Sequence, residues 1–147
     1  MYKHILIPTD GSEIATKAVR AGIEYAREAG ALITLFTAVP EYRIPSESEL
    51  MTRQAISLDD HARRSKEAAD AALAAAVESA RAAGVRFDTD YAQKDQPYQA
   101  IIDAAKRLGC DAIFMASHGR KGIDKLLHGS ETIDVLTHSD IPTLVVR

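Results

Sequence analysis

The sequence predicts an α/β domain: a single doubly wound, five-stranded parallel sheet with helices on both faces. Short apolar runs that read as buried strands alternate strictly with amphipathic helical stretches, in the order β-α-β-α-β-α-β-α-β. Continuous apolar strands joined through helices are the mark of a parallel sheet covered on both sides. The 147 residues, 46% apolar and 27% charged, suit one globular domain over 1–147 around one core.

Ile5-Leu6-Ile7 is the first strand, stopped by the breaker Pro8-Thr9-Asp10-Gly11-Ser12. The helix that follows places Ile14, Ala18, Val19, Gly22, Ile23 and Ala26 on one face and Lys17, Arg20, Glu24 and Arg27 on the other. Asp10 and Glu13 have the spacing of a capping box for it, and Gly30 ends it. Leu32–Val39 is the second strand. Residues 40–57 show no clean period; a loop this long is functional or disordered, and here it is expected to fold over the site as a lid. An Ala-rich helix follows over 58–83, with Ala69, Leu73, Ala76, Val77 and Ala80 inward and Gly84 closing it.

A third strand is expected over 85–92. The next helix starts at Asp95-Gln96-Pro97, carries the stripe Tyr98, Ile101, Ile102, Ala105 and Leu108, and stops at Gly109. The fourth strand is read over 111–115, the last helix over 130–138 with Ile133, Val135 and Leu136 as its apolar residues, and the fifth strand over 141–146. In such sheets ligands bind beyond the C-terminal strand ends, where the strand order switches. The loops after the first and fourth strands meet at that end.

Composition removes several classes of function. The net charge is −3, with no basic-aromatic patch, so nucleic acid is not an expected partner. No apolar stretch approaches the roughly 18 residues needed to cross a bilayer, and no membrane partner is expected. Met1-Tyr2-Lys3-His4 runs straight into a strand, leaving no room for a signal peptide. Cys110 is the one cysteine, which rules out an internal disulfide and fits a reducing cytoplasm.

The most informative stretch is Ala116-Ser117-His118-Gly119, which opens from the apolar run Ile113-Phe114-Met115 and is followed by Gly129-Ser130. A strand breaking into a glycine loop, then Gly-Ser at a helix start, is a way to hold phosphate. Glycine lets the backbone approach an anion, and helix N-terminal N–H groups point at it. Arg120, Lys121 and Lys125 add local positive charge, although a solvated loop explains the first two equally well. Ser130 either binds phosphate or caps the last helix. His118 and His128 lie too far apart, and without Cys or carboxylate partners, to read as metal ligands. No Ser-His-Asp order, carboxylate pair or Walker-type Gly-Lys-Ser/Thr run is present, so no catalytic residue is assigned.

These residues resemble the universal stress proteins of the UspA type, in their ATP-binding branch. The carriers are Ile5-Leu6-Ile7-Pro8-Thr9-Asp10-Gly11-Ser12, Ala116-Ser117-His118-Gly119, Gly129-Ser130 and Ile141-Pro142-Thr143-Leu144-Val145-Val146. The resemblance implies a Rossmann-like fold of the adenine nucleotide alpha hydrolase-like kind. It implies a site for ATP, AMP or ADP, with Mg²⁺ as an accompanying ion. Asp10 would lie by the adenine or ribose, with Pro8 and Thr9 shaping the turn. Ala38 would offer backbone hydrogen bonds to adenine, and Met115 and Ala116 would line the ribose. Gly119, Gly129, Ser130 and Thr132 would contact phosphate. The last strand, 141–146, would form the edge of a homodimer.

Two positions depart from the pattern. Ala116 stands where the motif has glycine. Glu131 stands where relatives more often carry an apolar residue; a carboxylate there either repels phosphate or helps hold a hydrated Mg²⁺. The function expected is a cytoplasmic, dimeric, adenine-nucleotide-binding stress-response regulator. The alternatives are a scaffold that binds no nucleotide and a weak ATPase.

Overall fold

The computed structural model describes residues 1–117 and 125–147, and of 125–130 the helical backbone only. Its elements are β1 (His4–Pro8), α1 (Glu13–Ala29), β2 (Leu32–Val39), α2 (Glu47–Met51), α3 (Leu58–Ala83), β3 (Phe87–Gln93), α4 (Pro97–Leu108), β4 (Ala112–Ala116), α5 (Lys125–His138) and β5 (Thr143–Val146). The five strands form one sheet in the order β3-β2-β1-β4-β5, and every neighbouring pair is parallel.

Alternate strand residues feed two cores. On one face Ile5, Ile7, Ile33, Leu35 and Phe114 pack under Val19 and Ile23 of α1 and Leu73 and Ala76 of α3. On the other, Leu6, Phe36, Ile113 and Met115 pack under Ile101, Ile102 and Ala105 of α4 and Val135 of α5. Both sheet faces are therefore covered, which is why β1, β2 and β4 read as largely apolar runs. At Gly22 α1 packs close on β1: a Cβ there would stand 2.2 Å from Ile7 Cδ1.

The structure corrects several expected boundaries. The third strand begins at Phe87 rather than Val85, because the Val85 N–H is spent on Ala80 O, closing α3 behind Gly84. It runs on to Gln93, paired with Val39. The fourth strand runs from Ala112 to Ala116, one residue later than read, and ends in register with Val146 of β5. The fifth is shorter than 141–146: Pro142 has no N–H to give, and the Ile141 N–H goes to Ser139 Oγ at 3.1 Å.

Asp10 is not the cap of α1. Ser12 is: its Oγ accepts the Ala15 N–H at 3.2 Å, while Asp10 Oδ1 accepts the Ser12 N–H at 2.8 Å one turn earlier. The last helix starts at Lys125, not Ser130. Lys125-Leu126-Leu127 are good helix formers, and one interior glycine costs only about 1 kcal/mol. Gly129 and Ser130 thus lie inside α5, and Ser130 is not its cap.

Between β2 and α3 the aperiodic segment contains one short helix, α2. Ser46 and Glu49 form a reciprocal capping box around it. The segment is tied to its surroundings: the Tyr42 hydroxyl donates to Ile56 O at 3.0 Å, and Asp95 Oδ1 accepts the Glu41 N–H at 3.0 Å.

Candidate functional site

The ladder between β1 and β4 consists of Ile5↔Ala112 and Leu6↔Ile113, and stops short of Pro8 and Ala116. From there the connection after β1 leads to β2 on one side, while β4 leads to β5 on the other. The strand ends part and leave a cleft of about 270 Å³. That lies just under the ~300–1,000 Å³ common for small-ligand pockets. It sits where the strand order switches, as expected for a doubly wound sheet.

The first wall comes from the turn after β1. The Thr9 N–H bonds Phe36 O at 2.8 Å, holding the turn to β2, and the buried Thr9 hydroxyl accepts the Gly11 N–H at 3.1 Å. Gly11 takes a positive φ of 81°, and a Cβ there would stand 3.1 Å from Ala72 O of α3. With Ser12 capping α1, this turn is over-determined from both sides. Pro8, Thr9, Asp10 and Ser12 all face the cleft.

The second wall is the end of β2, where Phe36, Thr37 and Ala38 line the cleft. The third is Met115 and Ala116 at the end of β4. The fourth is α5, through Glu131 and Thr132. Thr132 is buried, and its hydroxyl donates to Ala116 O at 3.2 Å, which seats this turn of α5 against β4. Ile14 and Ala15 of α1, and Pro97 and Ile101 of α4, complete the lining with apolar side chains. The lining thus contains both apolar side chains and polar ones. The polar ones are the Thr9, Ser12, Thr37 and Thr132 hydroxyls and the Asp10 and Glu131 carboxylates.

Of the residues expected to bind a nucleotide, the cleft brings together Pro8, Thr9, Asp10, Ala38, Met115, Ala116, Glu131 and Thr132. Gly119, like Arg120 and Lys121, lies outside the described residues, as does His118. Gly129 and Ser130 are placed only as backbone of α5. Sequence reasoning did not single out Ser12, Ile14, Thr37, Pro97 or Ile101 for the site. Ile14 and Ile101 read as ordinary helix stripe, and Thr37 is one of several residues in a buried strand. No residue of the 40–57 segment is among those that line the cleft.

Among the described residues no group of three or more His, Cys, Asp or Glu side chains is arranged to hold a metal. His4 Nε2 pairs with Thr34 Oγ1 at 2.7 Å, His61 Nε2 with Pro40 O at 3.1 Å, and His138 Nδ1 with Asp134 O at 2.8 Å. Cys110 is buried, and burial pushes its thiol up to about 11, well outside the range of a reactive cysteine. No helix among the described residues is long and apolar enough to cross a membrane.

The chain is similar in sequence to universal stress protein MJ0531 of Methanocaldococcus jannaschii, 29% identical over 152 residues, covering 100% of this chain and 83% of that protein. Among solved structures it superposes on MJ0577 of the same organism with a TM-score of 0.73 at 26% identity, over 99% of this chain and 96% of that one. A universal stress protein in complex with cAMP gives 0.68 at 21% identity, over 99% and 97% of the two chains. One from Archaeoglobus fulgidus in complex with dAMP gives 0.68 at 18%, over 99% and 98%. At those last two identities the likeness speaks for the fold alone. The profile of the universal stress protein family matches residues 1–147 in full, and the chain belongs to that family.

Proposed function

We propose that the chain binds an adenine nucleotide (ATP, ADP or AMP) in this cleft and acts in the cytoplasm as a dimeric stress-response regulator rather than through turnover. The observation that carries the reading is the convergence of Pro8, Thr9, Asp10, Ala38, Met115, Ala116 and Thr132 on one cleft at the switch point. Relatives of the same fold in complex with cAMP and dAMP support the ligand class.

In this reading the apolar side between Pro97, Ile101 and Ala38 takes the adenine, with the Ala38 backbone as its hydrogen-bonding edge. Asp10 faces the adenine or ribose, and Met115 and Ala116 pack against the sugar. Gly119, Gly129, Ser130 and Thr132 serve the phosphates. Mg²⁺ accompanies the phosphate oxygens and keeps several of its waters. Binding favours one conformation or assembly over another, and the output is a shift in population.

Thermal unfolding of nucleotide-stripped protein with AMP, ADP and MgATP tests the reading. A ligand at a hundred times its Kd adds about 2.7 kcal/mol, which raises Tm by about 5–10 °C for a domain this size. The competing reading, a scaffold that takes no nucleotide, is favoured by the Glu131 carboxylate in the lining. It predicts the same Tm with every adenine nucleotide.

A further inference from the structure

Among the described residues the buried polar side chains are Thr9, Thr34, Thr37, Ser65 and Thr132. All but one have their hydroxyls bonded within the protein. Thr34 pairs with His4 Nε2 at 2.7 Å and Ser65 with His61 Nε2 at 3.3 Å. Thr9 accepts the Gly11 N–H at 3.1 Å, and Thr132 donates to Ala116 O at 3.2 Å. Thr37 is the exception: it is 5% exposed, and its hydroxyl makes no hydrogen bond to a described residue. A buried hydroxyl left unbonded is costly, and native structures rarely carry one without a reason. No side-chain nitrogen or oxygen among the described residues is both unpartnered and sealed from solvent. The Thr37 oxygen therefore keeps a small opening, and the cleft that Thr37 lines supplies it.

The register places this hydroxyl. The ladder between β1 and β2 ends at Pro8↔Phe36, and one step further along it Thr9 and Thr37 stand side by side. The backbone groups of a strand turn alternately to its two neighbours. Phe36 O turns to the β1 side, where it accepts the Thr9 N–H at 2.8 Å, and Val39 O turns to the β3 side, where it accepts the Lys94 N–H at 2.8 Å. The Ala38 N–H and C=O thus turn to the β1 side, past the last β1 pair. The Thr37 hydroxyl and the Ala38 backbone edge belong to the same end of the cleft. A hydroxyl both donates and accepts, so it can meet a ring nitrogen or an amino group.

We infer that the Thr37 hydroxyl hydrogen-bonds the bound base and helps decide which base the cleft takes. The ligand class is a nucleotide whose purine presents a ring nitrogen or an amino group to Thr37 while the Ala38 backbone holds another edge. A base that brings a C–H to that point leaves the hydroxyl unbonded, and the site selects against it. This rests on the nucleotide reading and adds a base contact to it.

The test is calorimetric titration of nucleotide-stripped wild type, Thr37→Val and Thr37→Ser with AMP, alongside their thermal unfolding. Thr37→Val keeps its Tm or raises it, since no bond within the protein is lost and valine suits a strand. It binds AMP about tenfold more weakly, the worth of one neutral hydrogen bond. Thr37→Ser keeps the hydroxyl and keeps the affinity. AMP analogues that lack the amino group, or carry C–H in place of one ring nitrogen, identify the partner atom: one of them binds the wild type weakly and loses nothing more in Thr37→Val. Equal AMP affinity in Thr37→Val overturns the contact, as does a Thr37→Ser protein that binds as weakly as Thr37→Val. A clear fall in Tm of Thr37→Val assigns the hydroxyl to the fold instead. A loss in Thr37→Val that is the same for every analogue moves the contact from the base to the sugar or phosphate and also overturns the inference. Each of these leaves nucleotide binding standing. A wild type that does not bind AMP, ADP or MgATP removes the nucleotide reading and this inference together.

Discussion

Gly11 shows how one residue serves both fold and cleft. Its φ of 81° is a region that costs other residues strain, and its Cα faces Ala72 O of α3 across a gap that a methyl would fill to 3.1 Å. Gly11→Ala is expected to cost about 1–3 kcal/mol in urea unfolding. An unchanged midpoint would show that the turn relaxes freely and is not a fixed wall. The residue scale is also where sequence reading was most uneven. Pro8, Thr9 and Asp10 stood out because a breaker follows an apolar run, and the structure puts all three on the cleft. Ile101 did not, because a buried residue of the α4 core stripe gives no sign that it also lines the cleft. Asp10 was misread as the cap of α1: Asp10 and Glu13 have capping-box spacing, but Ser12, one residue before the helix, caps it. Two cap-type residues only two positions apart cannot be ranked from spacing alone.

At the scale of elements, α2 has the most local logic. Glu49 takes a bidentate hold on Arg43, at 2.6 and 3.2 Å, and accepts the Ser46 N–H at 2.7 Å. Those bonds, the arginine first, hold its carboxyl down at about 2 against an ordinary 4.5. A carboxyl lowered on folding contributes stability above its unfolded value and loses it as pH falls through the folded one. Order in α2 is therefore expected to persist at neutral pH and to fade between about pH 4.5 and 2. Amide exchange or chemical shifts over Glu47–Met51 would follow it, with the same change seen at neutral pH in Glu49→Gln. A helix that holds unaltered down to pH 2 would contradict the account. In the sequence α2 was hidden, since five residues make little more than one turn and show no period. The long elements were legible for the opposite reason. β1, β2 and β4 are buried on both faces, and α1, α3 and α4 each carry an unbroken stripe and end at a glycine. The start of α5 was misplaced because Gly129 looks like punctuation, whereas the helix carries it in its interior.

At the scale of the molecule, the two sheet edges are treated differently. β3 closes one side with Asp88 and Asp90 along it, and Asp90 is ion-paired to Arg107. Charges on an edge discourage further strands. β5 closes the other side with Leu144, which is 44% exposed, and α5 next to it leaves Ile133 and Leu136 at 62% and 51%. An apolar open edge suits the proposed homodimer through the last strand. Leu144→Asp is expected to shift the protein from dimer to monomer in sedimentation at micromolar concentration while leaving Tm of the monomer little changed. A wild type that sediments as a monomer would remove the dimer from the proposal and leave the cleft untouched.

The central claim is that the cleft between the ends of β1, β2 and β4 holds the nucleotide. The most direct test is calorimetric titration of the nucleotide-stripped wild type and of Ala38→Phe with AMP and MgATP. Ala38 is half-buried at the end of β2, and a ring there fills the apolar side without disturbing the strand's pairing with β3. The account predicts saturable binding at a single site per chain in the wild type, weakened at least a hundredfold in the variant, which is about 2.7 kcal/mol. Binding of equal strength in a folded Ala38→Phe protein, or none in the wild type at millimolar nucleotide, would contradict it.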